Sequence, residues 1–252
     1  MKDAYFYVQA EVGVTKHGGG LKATKELVKR CHIDKRSYVL VVGCGPGITA
    51  AKIAKICECK VMGVDLSPSM IKAAQREIKK GLNLSFEVGD AQKLPFKANT
   101  FDAVISESVT AFPPDKQKAI KEYYRVLKPG GYMGLNETTW LSKPLKKYLD
   151  YCSNVIGGVK PEFKKDWEGH IEQAGFKLVF SRAQKFKIIE QIIGEMRATE
   201  FTRNIMALYR MAMLYPTNKK FRKAVNQLTK DAFRYPRGLM KSLGWGIYVG
   251  RK

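Results

Sequence analysis

Short apolar runs alternate with amphipathic stretches through the first 140 residues, a pattern typical of a parallel sheet whose strands are joined by helices. The apolar runs predict five strands, at 38–42, 60–64, 84–88, 101–106 and 132–136. The stretches between them have helical periodicity and predict helices over about 48–57, 68–80 and 115–127. Ser67 before Pro68 supports the second helix, since serine caps a helix well and proline suits its first turn.

After residue 140 the pattern becomes mainly helical. Helices are predicted over 143–157, 161–174, 186–215 and 218–233, with a sixth strand at 176–182 and a seventh at 243–250. No linker composition divides the chain, so we predict one domain over 1–252. Its core is 37–140, where strands and helices alternate, and a helical cap comprises 141–170 and 185–240. The predicted fold is α/β, a doubly wound, mostly parallel seven-stranded sheet with helices inserted between strands 6 and 7.

The net charge of the chain limits the classes of partner that it attracts. Lys and Arg number 45 against 23 Asp and Glu, which gives a net charge of +22. A field of this sign attracts nucleic acid, acidic lipid headgroups or acidic small molecules. The stretch 216–237 holds seven basic residues and one acidic residue, Asp231. It predicts either a solvated helix face or a peripheral contact with an anionic membrane or RNA.

Cysteine use and hydropathy indicate the compartment. No apolar run approaches the length of a membrane span, and residues 1–3 open no signal-peptide pattern. Five cysteines do not form a disulfide framework in a chain this long. Cys57 and Cys59 lack a second ligand pair, so no metal site is predicted. We expect a reduced, cytoplasmic protein.

A glycine-rich turn follows the first strand. Gly43, Gly45 and Gly47 have G-x-G-x-G spacing, and Ile48 stands where a dinucleotide-binding fingerprint requires glycine. The helix that starts there favours an anion, and a carboxylate serves as well as a phosphate. Asp65 and Asp90 end the next two strands. Each can accept hydrogen bonds from a ligand, although a helix cap and an Asx-turn are the alternatives.

Residues 38–136 resemble the class I S-adenosylmethionine-dependent methyltransferases, especially the small-molecule branch of ubiquinone/menaquinone-biosynthesis methyltransferases. The resemblance lies in five motifs in order: VVGCGPG (41–47), GVDLS (63–67), VGDAQKLPF (88–96), FDAVIS (101–106) and RVLKPGG (125–131). HGGGLKATKELV (17–28) and EQAGF (172–176) extend it. The resemblance implies that the last strand is antiparallel, that S-adenosyl-L-methionine is the cofactor and that S-adenosyl-L-homocysteine is the product.

The resemblance also implies roles for individual residues. The glycines would lie under the methionine end of the cofactor, Asp65 would bind ribose, and Asp90 with the Ala91 backbone would bind adenine. Leu66 is counted among the cofactor-binding positions. The family usually has an acidic residue two positions before the first glycine, where this chain has Val41. The departure implies one of two consequences: weaker cofactor binding, or a neighbouring residue that takes over the role of the acidic residue.

Two side chains are candidates for catalysis. Glu107 directly follows the fourth predicted strand, where it can act as general base or hold a cationic amine substrate. The alternatives are that it anchors the amino group of the cofactor or caps a loop. His17 precedes three glycines in a segment that can fold over the cofactor. It is the one plausible imidazole base, and a solvated loop histidine is the alternative.

The predicted function is transfer of a methyl group to a small-molecule acceptor, hydrophobic or anionic. Met196, Phe201 and Met206 in the helical insertion suit an apolar wall, although such a stripe also suits plain core. Three alternatives stay open: methylation of a membrane lipid or quinone, methylation of RNA, and S-adenosylmethionine binding without catalysis.

Overall fold

The computed structural model describes residues 2–13, 17–76, 81–155, 157–187 and 201–252. In chain order its strands are β1 Tyr38–Val42, β2 Lys60–Asp65, β3 Leu84–Val88, β4 Phe101–Glu107, β5 Leu127–Trp140, β6 Glu162–Phe163, β7 Lys177–Lys185 and β8 Leu243–Arg251. The described helices are α1 Lys2–Val12, α2 Gly20–Arg30, α3 Ile48–Cys57, α4 Pro68–Gln75, α5 Lys116–Val126, α6 Lys146–Asn154, α7 Lys164–Gln173, α8 Phe201–Thr217, α9 Lys219–Phe233 and α10 Leu239–Ser242.

The strands form one sheet in the order β3-β2-β1-β4-β5-β8-β7, with the short β6 beside the end of β5. β8 runs antiparallel to both of its neighbours, and the pairs from β3 to β5 are parallel. The predicted α/β class, the doubly wound sheet and the antiparallel last strand are confirmed. The two-residue β6 is an addition, at the start of the stretch predicted as the 161–174 helix.

The strand order reverses between β1 and β4, which lie side by side. β1 continues to β2 on one side of this boundary, and β4 continues to β5 on the other. In such a sheet the loops that leave the carboxyl ends of the two central strands diverge, so they leave a crevice that binds ligands. The glycine-rich turn and Glu107 stand at the two sides of this crevice.

Helices cover both faces of the sheet because strand side chains alternate between them. On one face, Leu27 of α2 and Ile53 of α3 are buried against strand residues that include Val39 and Ile105. On the other face, Tyr123 of α5 and residues of α7 are buried against the opposite strand positions.

β5 is longer than the predicted strand 132–136. It begins at Leu127 because a register shift opposite Phe101 and Ala103 takes the expected turn at 128–131 into the strand as a bulge. It continues to Trp140 because β8 pairs with it without interruption from Tyr132 onward. The extension brings residue 137 into the sheet.

The first and last thirds of the chain meet in a separate helical unit. Val8 and Val12 of α1 are buried with Ala207 of α8 and with Phe221 and Ala224 of α9. The described part of the expected 185–240 cap therefore includes two packed helices, which α1 joins. Met196 lies outside the described residues, and so does the side chain of Phe201.

The expected 141–170 cap segment divides between two places. The α7 helix packs on the sheet, where Trp167 and Ile171 are fully buried next to α5 and β8. The α6 helix reaches the helical unit, since the Tyr151 hydroxyl donates a hydrogen bond to the Asp231 carbonyl of α9. Within the described ranges, no helix has the length and apolar character that crossing a bilayer requires.

Candidate active site

The glycine-rich turn between β1 and α3 needs its glycines for backbone geometry and for space. Gly43, Gly45 and Gly47 all have positive φ, at 61°, 53° and 81°. A Cβ on Gly43 would lie 2.3 Å from a methyl carbon of Val109, and one on Gly47 would lie 2.7 Å from the ring of Phe86. Glycine at these positions lets neighbouring groups approach the backbone of the turn closely, as a ligand-binding loop requires.

Asp65 at the end of β2 ties this turn to the sheet. Its carboxylate accepts hydrogen bonds from the Gly45 amide and the Ser67 amide, both at 2.9 Å. Burial raises the pKa of Asp65, and these two amide bonds oppose that shift. Leu66 beside it is 70% exposed and offers an apolar surface at the same strand end. The remaining lone pairs of Asp65 suit ribose hydroxyls.

Asp90 follows β3 in a tight turn. Its Oδ1 accepts the Gln92 amide at 2.8 Å, which is the Asx-turn that the sequence left as an alternative. None of the hydrogen bonds between described residues uses Oδ2. Ala91 is partly buried against the core cluster. Asp90 therefore combines a turn-forming oxygen with one available to a ligand.

Glu107 at the end of β4 is the centre of a polar cluster. Its side chain is 3% exposed. It accepts hydrogen bonds from Thr24 of α2 at 3.0 Å, from Thr49 of α3 at 3.2 Å and from the Asn136 amide at 3.3 Å. His17 Nδ1 lies 3.4 Å from Glu107 Oε1. The fold therefore brings together the two candidate catalytic residues.

The HGGG segment positions His17 by lying flat on an aromatic ring. A Cβ on Gly18 or on Gly19 would lie 2.4 Å from ring atoms of Trp245. The Asn136 amide donates to the Gly18 carbonyl at 2.8 Å, and its nitrogen is 3.2 Å from His17 Nδ1. Glycine at these positions is required for the close approach that places the imidazole beside the carboxylate.

The loop after β4 is held by a residue for which the sequence offered no signal. Glu137 of β5 is fully buried and accepts the backbone amides of Val109, Thr110 and Ala111 at 3.0, 2.7 and 3.3 Å. Burial raises the pKa of Glu137 to about 7, against the effect of these amides. It lies one residue past the predicted strand 132–136, so its partners were not foreseeable.

The turn between Glu107 and this loop has a strained backbone. Ser108 has a φ of 57°, in the left-handed region, and its amide donates to the Asn136 carbonyl at 2.7 Å. Strain of this kind persists where surrounding contacts over-determine a conformation, which is common at functional sites. The turn directs the loop so that Val109 packs on Gly43 across the crevice.

No three His, Cys, Asp or Glu side chains of the described residues group as a metal ion would need. All five cysteines are free thiols. The site is instead a backbone cradle, two strand-end carboxylates and one buried carboxylate-imidazole pair, which suits an organic cofactor.

The chain is similar in sequence to known methyltransferases. Residues 39–131 match the family model described as a methyltransferase domain. The chain is 34% identical to the demethylmenaquinone methyltransferase of Chlorobaculum parvum over 172 residues, which cover 67% of this chain and 70% of that protein.

Solved structures show the same fold. The phosphoethanolamine N-methyltransferase 2 of Haemonchus contortus, in complex with phosphomonomethylethanolamine and S-adenosylhomocysteine, has a TM-score of 0.73 at 19% identity over all of this chain and 58% of its own. The cyclase SpnF has a TM-score of 0.75 at 20% identity, over all of this chain and 93% of its own. The family match and the similarity to the Chlorobaculum enzyme show that the chain belongs to the class I S-adenosylmethionine-dependent methyltransferases.

Proposed function

We propose that this methyltransferase methylates a small apolar acceptor, with Glu107 holding the cofactor ammonium group and His17 taking the proton of the acceptor. The observation that carries the proposal is the buried Glu107 cluster at the β1–β4 crevice. The cofactor supplies an electrophilic methyl group on a sulfonium sulfur. The tasks of the protein are therefore to hold both reactants in line, to exclude water and to accept a proton.

Glu107 suits an anchoring role better than that of a base. Thr24, Thr49 and Asn136 already donate to its two oxygens, and its side chain is almost fully buried. These three donors are neutral, so they do not balance the charge of a carboxylate. A buried charge is costly unless an opposite charge pairs with it. An ammonium group in the crevice would supply that charge.

The register of the sheet supports this role. Val41 of β1 pairs with Ile105 of β4, and Glu107 lies two residues beyond Ile105. Side chains two residues apart in a strand point to the same face. Glu107 therefore stands on the face where Val41 replaces the acidic residue that the family usually has. We propose that Glu107 takes over its task.

The other cofactor contacts follow the strand ends. We assign the methionine end to the turn at 43–47, ribose to Asp65, and adenine to Asp90 with the Ala91 backbone. Leu66, exposed beside Asp65, would pack on the cofactor. The positive φ angles of the turn and the second oxygen of Asp90 support these assignments.

His17 is proposed as the general base. If Nδ1–H donates to Glu107, the tautomer of the ring makes Nε2 the proton acceptor. Asn136 supports this tautomer. Its amide nitrogen is 2.8 Å from the Gly18 carbonyl but 3.2 Å from His17 Nδ1, so the carbonyl is its closer acceptor. Asn136 is a positioning residue in this mechanism, because it acts through His17 and the backbone.

An apolar acceptor fits the surroundings of the loop after β4. Phe6 of α1 contacts Phe112 with ring centroids 5.5 Å apart, and both border Gly157. Phe112 directly follows Ala111, which Glu137 holds. The Chlorobaculum relative is named for demethylmenaquinone, which also favours an apolar acceptor. We further propose a cytoplasmic location, which free cysteines favour.

The ammonium contact can be tested by calorimetry without turnover. The ligands are S-adenosylhomocysteine and its analogue that lacks the amino group. Wild type should prefer the former by about 10-fold or more, the scale of a hydrogen bond to a charged group. Glu107→Gln should lose most of that preference, and Glu26→Gln, a control on α2, should keep it. A preference that survives in Glu107→Gln would contradict the assignment.

The base is tested by turnover. Methyl transfer from labelled cofactor into metabolite, lipid and RNA fractions identifies the acceptor class. His17→Gln should lower the rate by roughly 10²–10⁴-fold, the usual contribution of a general base, and leave S-adenosylhomocysteine affinity nearly intact. Added imidazole should restore part of the rate in His17→Gly. Equal losses of affinity and rate would mean that His17 only supports the fold of the site.

A further inference from the structure

Helix α8 exposes an apolar face of unusual extent. Its exposed large apolar side chains are Ile205, Met206, Leu208, Tyr209, Met213 and Tyr215. At 100° per residue these positions cover about half of the helix circumference. Leu208 is 71% exposed. Soluble proteins rarely expose a continuous apolar surface of this kind unless it contacts something.

Between Ile205 and Tyr215, polar residues do not interrupt this face. The one charged side chain between Ile205 and Pro216 is Arg210. Its guanidinium donates to the Val12 carbonyl of α1 and lies against Gly13. Arg210 is therefore used inside the helical unit, together with the buried Ala207, and the apolar face is opposite to it.

The two helices of this segment are strongly basic. Lysine and arginine outnumber acidic residues nine to one between residues 201 and 237. The one acidic residue, Asp231, is buried, and the Gln227 amide donates to it. Lys219, Lys223 and Lys230 of α9 are exposed. Phe233, at the end of α9, is 89% exposed and precedes Arg234.

The helical unit is connected to the site through α1. Val8 and Val12 pack with α8 and α9, and Phe6 of the same helix contacts Phe112 beside the loop after β4. Helix α1 thus links the helical unit to the loop that borders the crevice by direct apolar packing.

We propose that α8 and α9 dock the enzyme on an anionic lipid bilayer, from which the apolar acceptor enters the site. The acceptor half of this statement rests on the proposed function, whereas docking itself does not. Helix α8 would lie in the interface with its apolar face among the acyl chains, and the lysines of α9 would contact the headgroups. Amphipathic surface helices with basic flanks bind membranes in this manner.

A lipid surface fits this face better than RNA or a second copy of the chain. Single-stranded RNA binds on aromatic side chains over which bases stack, whereas four of the six exposed residues on α8 are aliphatic or methionine. A second copy would bring the same basic segment to this face, and the like charges would repel. An anionic bilayer supplies both the apolar interior and the opposite charge.

Vesicle flotation tests the docking directly. The probes are phosphatidylcholine vesicles and vesicles with about a third phosphatidylglycerol. Wild type should float with the anionic vesicles at low salt, and 0.5 M salt, at about a 4 Å Debye length, should weaken binding strongly. Absence of association at low salt would overturn the proposal.

Two sets of variants separate the two parts of the surface, and each has a matched control. Ile205→Gln with Leu208→Gln should weaken vesicle binding at least tenfold, whereas Ile56→Gln with Val179→Gln, equally apolar and partly exposed, should not. Reversing Lys219, Lys223 and Lys230 to Glu should weaken binding by about a hundredfold or more. Reversing the exposed Lys22, Lys93 and Lys177 changes the net charge equally and should weaken binding far less.

The location of the contact can also be read by fluorescence. Tyr209→Trp should show a blue shift and quenching by brominated lipid with anionic vesicles, whereas Tyr132→Trp on β5 should not. Equal losses of vesicle binding in the control sets would overturn the proposal. It would also be overturned if the wild type did not bind vesicles but bound RNA, and the α8 and α9 variants lost that RNA binding. All variants should keep S-adenosylhomocysteine affinity, so failure of docking and failure of the proposed site are measured separately.

Discussion

The β1–β4 crevice and the helical unit of α1, α8 and α9 treat polar and apolar groups in opposite ways. In the crevice, polar groups are buried and bonded to one another, as Glu107 is to Thr24 and Thr49. In the helical unit, large apolar side chains such as Leu208 face outward. Polar side chains are usually exposed, and those of the crevice are buried. Large apolar side chains are usually buried, and those of α8 are exposed.

This difference determines how each region responds to substitutions. Buried polar groups depend on the direction and length of each hydrogen bond, because a lost partner leaves a costly unsatisfied group. Exposed apolar side chains depend on no particular neighbour within the fold. Substitutions in the crevice should therefore change stability or cofactor affinity, whereas substitutions on α8 should change only contacts with partners.

Gly43→Ala should give the largest effect. It combines a positive φ with a Cβ 2.3 Å from Val109, so we expect the free energy of unfolding to fall by about 4 kcal/mol and cofactor binding to be lost. Gly81→Ala is the control, because its φ is also positive but no atom lies within 4 Å. Urea unfolding should show about 1 kcal/mol for the control. Equal losses would contradict a steric role for Val109.

Glu137→Gln should change how stability depends on pH. Burial raises the pKa of Glu137 to about 7 from 4.5, so the folded protein binds the proton more tightly than the unfolded chain. The stability from this residue is complete below pH 4.5 and is lost as the pH rises through about 7. That loss is about 3 kcal/mol.

The measurement is the difference in unfolding free energy between wild type and Glu137→Gln at several pH values, since glutamine does not titrate. Wild type should lose stability relative to the variant as the pH rises from about 4.5 to about 8. A difference that stays constant over this range would show that Glu137 does not take up a proton on folding.

Asp65→Ala should weaken S-adenosylhomocysteine binding by roughly 1.5–3 kcal/mol, the scale of hydrogen bonds to a charged group. Part of the loss would come from the Gly45 amide, which Asp65 holds. Asp34→Ala is the control, since its carboxylate serves an exposed turn before β1. Unchanged affinity in calorimetry would remove Asp65 from the cofactor site.

Met206→Glu should have the smallest effect on the fold. Met206 is 48% exposed, so the free energy of unfolding should change by less than about 0.5 kcal/mol and cofactor affinity should be retained. Turnover of an apolar acceptor should fall. Ala207→Glu, one residue on and buried, should destabilise the helical unit by several times as much. Similar losses in both variants would mean that Met206 is ordinary core.

Local patterns in the sequence were enough to predict strands β1 to β4 and the glycine-rich turn. These elements depend on residues that are neighbours in the sequence. Their apolar periodicity and their glycine spacing can therefore be recognised without a structure. Asp65 and Asp90 could be singled out because a strand end is itself a local feature. The predicted fifth strand ends at residue 136, four residues too early. The last four residues of β5 pair with β8, more than 100 residues away in the chain, and local patterns do not show that pairing.

Only the tertiary structure decided how these pieces combine. The pairing of His17 with Glu107 depends on the order of β1 and β4, on Trp245 beneath the glycines and on Asn136 of β5. Glu137 and the loop at 109–111, and the packing of α1 with α8 and α9, likewise join segments far apart in the chain. Periodicity reports which face of an element is apolar, but not which partner covers it. That choice follows from strand order and side-chain packing, which exist only once the chain has folded.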